Sequence, residues 1–125
     1  MIYTPKGNVP IEDIKEKDIV FGEDYQDEVV LKTYVAKKAQ LYKVITDKGT
    51  VKTTKGQRFV LPKEELEKVE NLKIGDQLIY QNEYAEVLSI EKEENSVTVY
   101  ELDTTGNNLF WADGFLVEGM VEVWA

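Results

Sequence analysis

The chain has no cysteine and no histidine. Without cysteine there are no disulfides, no thiolate metal sites and no cysteine nucleophile, and the redox compartment stays open. Without histidine the commonest general base and metal ligand is gone. Long apolar runs are also missing, and none approaches the length of a membrane-spanning helix. The opening residues, MIYTPKGN, lack the basic and apolar regions of a signal peptide, so a cytoplasmic location is the default expectation. Positive charge is scarce: 15 basic side chains stand against 24 acidic ones, a formal net charge of −9. Such a surface repels phosphate backbones and anionic lipid, which argues against nucleic-acid and membrane partners.

What is present points to strands. The 125 residues fit one domain, 42% of them are hydrophobic, and valine, isoleucine, tyrosine and threonine crowd the apolar segments. The chain also repeats itself. IEDIKEKDIVF, from Ile11, returns as VENLKIGDQLI, from Val69, with Glu12 over Glu70, Lys15 over Lys73 and Asp18 over Asp76. At the same 58-residue offset Glu28-Val29-Val30 falls on Glu86-Val87-Leu88, and Tyr42-Lys43-Val44 on Tyr100-Glu101-Leu102. Three matches in register divide the chain into related halves, 11–54 and 69–112. Either half alone would leave an apolar sheet face in water, so pseudo-twofold packing around a shared core is expected.

The pattern predicts strands at 2–4, 19–21, 28–35, 41–46, 50–54, 58–61, 77–80, 85–91, 97–102, 109–112 and 121–124. Asp47-Lys48-Gly49 reads as a tight hairpin and Asp113-Gly114 as a two-residue type I′ turn. Pro62 followed by several glutamates predicts one short helix over 63–69, and Pro10 a helical turn at 11–14. Glu91–Asn95 is expected at a hairpin tip.

Four blocks resemble HINT domains, the Hedgehog/intein superfamily. TPKGNVPIEDIKEKDIV (from Thr4) is similar to the first block, T-P-D-G-x-x-P-I-E-D-I-x-x-G-D-x-V. VKTTKGQRF (from Val51) is similar to the T-x-x-H block, and LKIGDQL (from Leu72) to L-K-x-G-D-x-L. VYELDTTGNNLFWADGFLVEG (from Val99) is similar to the closing block, which ordinarily ends N-G-x-L-V-H-N. The resemblance implies an all-β twisted horseshoe of two pseudo-twofold halves with one short helix. It also implies a single HINT-like domain over 1–125, with a core at 1–119 and an extension at 120–125.

HINT domains process themselves. A cysteine or serine attacks the preceding carbonyl, the T-x-x-H threonine and histidine polarise that carbonyl and protonate the amine, and a terminal asparagine cyclises beside a histidine. Carried across, the nucleophile would precede Met1, and the serines present, Ser89 and Ser96, map elsewhere. Thr54 is kept, but Gln57 holds the histidine place, Asn108 that of a further histidine, and Glu118-Gly119 that of His-Asn. Glutamine donates a hydrogen bond but shuttles no proton at neutral pH, and glycine has nothing with which to cyclise. These vestigial positions imply a copy that is not an enzyme and needs no cofactor or metal. The rival is a self-processing module whose nucleophile segment lies outside this sequence. A small-molecule or metal-binding barrel has no motif behind it.

Each of these features also has a plainer reading. Thr54 and Gln57 fit an ordinary solvated turn. EDYQDE (from Glu23) lacks the alternating ligands and glycine of a calcium loop and reads as a solvated loop. Lys37, Lys38 and Lys43 read as a solvated strand end, and Trp111 as core. Val121, Val123 and Trp124 alternate in the extension, where an added strand would pair with this domain's sheet edge or with a protein partner.

Overall fold

The computed structural model describes residues 1–63 and 65–119. Among these residues eleven strands form one curled sheet: β1 (Ile2–Thr4), β2 (Gly7–Val9), β3 (Ile19–Phe21), β4 (Asp27–Thr46), β5 (Thr50–Thr53), β6 (Arg58–Val60), β7 (Leu66–Lys68), β8 (Gln77–Tyr80), β9 (Glu83–Thr104), β10 (Leu109–Ala112) and β11 (Phe115–Glu118). The main path runs β2-β1-β10-β11-β8-β9-β4-β3, with β5 on β4 and the β6–β7 hairpin reached through β11.

The two long strands form the backbone of the molecule. β4 and β9 pair antiparallel from Val30↔Thr104 to Thr46↔Val87, with register shifts along the way. Strands expected at 28–35 and 41–46 are one element, as are those at 85–91 and 97–102. The segments between them, AKKAQ and EKEENS, hold no glycine or proline to stop the ladder. Bulges absorb the mismatch instead, one of them at Lys37-Lys38 between Ala36 and Ala39. Glu91–Asn95 therefore lies within β9, not at a hairpin tip.

The helix expected over 63–69 is also absent. Leu66–Lys68 is β7, laid against β6 in the register Phe59↔Glu67. Val69–Asn71 is a 3-10 turn. A helix this short leaves nearly all its end groups without internal partners, whereas the β6 ladder satisfies them at once. Ile11–Asp13 forms the matching 3-10 turn in the front half. Asp113-Gly114 makes the expected two-residue turn, both residues at positive φ (51 and 91), between Ala112 and its partner Phe115.

The 58-residue echo is a physical symmetry. In both K-x-x-D turns the carboxylate accepts the lysine's own N–H: Asp18 from Lys15 and Asp76 from Lys73, each at 2.8 Å. The halves also serve each other reciprocally. Asp47 of the front accepts from Glu86 N–H at 2.8 Å, and Thr105 of the back accepts from Val29 N–H at 2.9 Å. Ile14, Val20 and Val44 share one buried core with their counterparts Leu72, Leu78 and Leu102. The strand expected at 121–124 lies outside the described residues.

Candidate functional site

The site lies where the front half's last turn meets the end of β11. Residues 54–57 turn the chain from β5 into β6, closed by Gln57 N–H donating to Thr54 O at 3.3 Å. Two bonds clip this turn to the second 3-10 turn: Val69 N–H to Gln57 O at 3.0 Å and Glu70 N–H to Lys55 O at 3.0 Å. The Gln57 side chain is thereby aimed across the sheet, where Nε2 donates to Glu118 O at 2.7 Å. The chain's single arginine adds a second tie: Arg58 Nη1 meets Glu118 Oε1 at 2.9 Å. This pair is partly shielded, with side chains 34% and 15% exposed, so its charges are screened less than those of an open surface pair.

Asn108 anchors the other side. It sits at φ 63, a left-handed conformation asparagine tolerates better than most residues. Its Oδ1 accepts Thr104 N–H at 2.8 Å, and its Nδ2 donates to Asp103 Oδ1 at 3.2 Å. Tyr34 donates its hydroxyl to the other oxygen of Asp103 at 2.5 Å. Gly119 N–H donates to Asn108 O at 2.7 Å. Gly119 is buried, and a Cβ there would lie well inside contact distance of Leu102 O and of Asn108 Oδ1. The first of these is backbone and cannot swing away.

Gln57, Asn108, Glu118 and Gly119 are thus brought together, and Thr54 stands on the same turn as Gln57. Thr54 and Gln57 also line a cleft of about 240 Å³, together with Val51, Phe110, Val117 and Glu101. Burial, and secondarily the negative charge of Asp103, push the Glu101 carboxyl from 4.5 up to about 7. Among the described residues no three histidine, cysteine or carboxylate side chains cluster in a metal-binding arrangement.

Sequence reasoning missed Arg58, Asp103, Tyr34 and Glu101. Arg58 carried a signal, as the one arginine among lysines, beside a block already singled out. Glu101 carried none, because an isolated glutamate in a strand looks like solvated surface until a facing wall covers it. Trp111 is core as expected: it is 3% exposed, and its Nε1 donates to Gly22 O at 2.9 Å.

No protein-family model matches the chain, and no curated protein matches it in sequence. Solved structures do match. The gp41-1 intein superimposes with a TM-score of 0.84 at 22% identity, over 94% of this chain and 91% of that one. A DnaB intein from Synechocystis sp. PCC 6803 gives 0.84 at 17% identity, over 96% and 94%. The MchDnaB-1 intein gives 0.81 at 15%, over 94% of each chain. This chain has the intein, or HINT, fold. The HINT horseshoe accounts for the internal dyad and for the meeting of residues 57, 108, 118 and 119 at one place, across 62 residues of sequence.

Proposed function

We propose that this is an intein-like domain whose self-processing chemistry is lost, kept as a structural or protein-interaction module. The observation that carries the reading is the closed end of β11. Protein splicing in this fold family calls for a terminal asparagine, and the position holds buried Gly119, packed against Leu102 O. The neighbouring groups are committed to holding that end in place. Gln57 spends its amide donor on Glu118 O, and the Glu118 carboxylate is paired with Arg58. An amide moves no proton at neutral pH, so the clamp binds without catalysing.

The test is intact mass spectrometry of the chain expressed with natural flanking residues, incubated with and without a thiol. An unchanged mass is expected. A cleaved or ligated product overturns the reading. The Gln57→His/Gly119→Asn double variant is expected to stay unprocessed as well, because the Leu102 carbonyl excludes the new side chain.

One observation favours the rival, a self-processing module. Glu101 titrates near neutrality and lines the same cleft as Thr54 and Gln57, as an acid–base group would. Under that reading any product disappears in Glu101→Gln. The partner-facing element remains the extension with Val121, Val123 and Trp124. Light scattering with and without residues 120–125 tests it, and the idea fails if neither self-association nor stability changes.

A further inference from the structure

The cleft beside the clamp is built unevenly. Its walls are largely aliphatic and aromatic, with Val51, Phe110 and Val117 among them, yet Glu101 opens onto it. Two cations also line it, and both are engaged elsewhere. Lys52 Nζ pairs with Glu93 at 3.1 Å, and the Met1 ammonium pairs with Asp113 at 2.8 Å. On β4 the cation Lys32 stands opposite Asp103, its Nζ over the Tyr34 ring at 5.2 Å from the centroid, and it forms no ion pair with Glu101. Asp103 lies on its own strand, Tyr34 opposite it on β4, and Tyr100 and Glu12 along the same cleft. Among the described residues the Glu101 side chain has neither an ion pair nor a hydrogen bond. A half-buried carboxylate with no ion-pair partner is disfavoured in its charged form, and a ligand that supplies the opposite charge offsets that penalty.

We propose that this cleft binds a primary alkylammonium of lysine type, its charged head on the Glu101 carboxylate and its methylene stem along Val51 and Val117. The shape suits an amphipathic stem better than a compact inorganic cation, which would gain nothing from the apolar wall. The Thr54 hydroxyl and the Gln57 side-chain carbonyl oxygen, on residues that also line the cleft, offer acceptors to flanking peptide amides. The proposal goes beyond the loss of splicing and does not depend on it.

Binding requires ionised Glu101, while an alkylammonium stays charged throughout the neutral range. With Glu101 titrating at about 7, its ionised fraction rises about tenfold between pH 6 and pH 8, and affinity rises with it. The probes are n-butylammonium and N-acetyl-lysine methylamide, titrated by two-dimensional amide NMR at pH 6 and pH 8. Both are expected to shift the amides of residues 98–101 and 51–54, with about tenfold tighter binding at the higher pH. Tighter binding of the lysine amide assigns the natural source to a protein side chain, and tighter binding of butylammonium assigns it to a free amine. Glu101→Gln keeps the fold, since an amide mimics the protonated acid, and is expected to abolish the shifts. Glu12→Gln is expected to leave them unchanged. No shift with either probe, binding that ignores pH, equal shifts with n-butanol, or binding retained in Glu101→Gln each overturns the proposal. None of these outcomes bears on the mass-spectrometric test of splicing.

Discussion

The front and back halves make the same frame and then diverge in what they attach to it. At the end of β4, Thr46 N–H donates to a backbone oxygen, Gly49 O, at 2.9 Å, and a tight hairpin leads directly to β5. At the end of β9, Thr104 N–H donates instead to the Asn108 side chain at 2.8 Å. One more residue separates the strands there, and a side chain stands in for the backbone. The same substitution of character occurs along the long strands, where Glu101 of the back half occupies the place of Lys43 in the front. The lesson is that symmetry governs backbone hydrogen bonds and core packing, while the candidate site collects where symmetry is broken.

The largest expected effect tests the shared core. Val20 and Leu78 are equivalent and fully buried, each 0% exposed. Leu78→Ala should cost about 3 kcal/mol, and Val20→Ala about 2 kcal/mol, in urea unfolding. Both should leave a single cooperative transition. Two separated transitions would mean that the halves fold independently and would break the shared-core account.

Next comes the Lys43–Glu101 contrast. The folded protein holds the Glu101 proton more tightly than the unfolded chain does, since the group sits at about 7 against an ordinary 4.5. Its contribution to stability is therefore full below pH 4.5, declines as pH rises, and is lost above about 7. Glu101→Gln should remove that decline and gain on the order of 2 kcal/mol at pH 8, read from melts across the pH range. Lys43→Gln should produce no such pH-dependent gain.

The matched turns give a smaller and sharper comparison. Asp18→Asn and Asp76→Asn each weaken a 2.8 Å bond to backbone. Each should cost about 1 kcal/mol, equal within about 0.5 kcal/mol by denaturant midpoint. The smallest effect separates the halves again. Lys17 holds φ 74 where its counterpart Gly75 holds φ 96. Lys17→Gly should stabilise by about 0.5 kcal/mol, because left-handed backbone strains lysine more than glycine.

Much of the frame was legible because its causes are local or periodic. The K-x-x-D turns, the Asp113-Gly114 hairpin and the strands at 2–4, 19–21, 77–80 and 109–112 follow from short-range preferences, and the repeat announced the dyad. The helix expected over 63–69 failed because Pro62 and the glutamates argue only from the helix's own terms, whereas β6 offered a non-local ladder. The split of β4 and β9 failed for a related reason. Charged residues in AKKAQ and EKEENS resemble a turn until two strands of matching length support each other through bulges.

Taken alone, the sequence determined an all-β chain in two related halves, and its resemblance to HINT blocks singled out Gln57, Asn108, Glu118 and Gly119 as expected site positions. These are properties of composition, spacing and identity, and they need no third dimension. Only the tertiary structure decided that Gln57 and Arg58 clamp Glu118, that Gly119 has no room for a side chain, and that the Glu101 side chain, half-buried, forms no ion pair among the described residues. Burial and hydrogen-bond partners come from strands distant in sequence, and the local chain carries no record of which wall it will face.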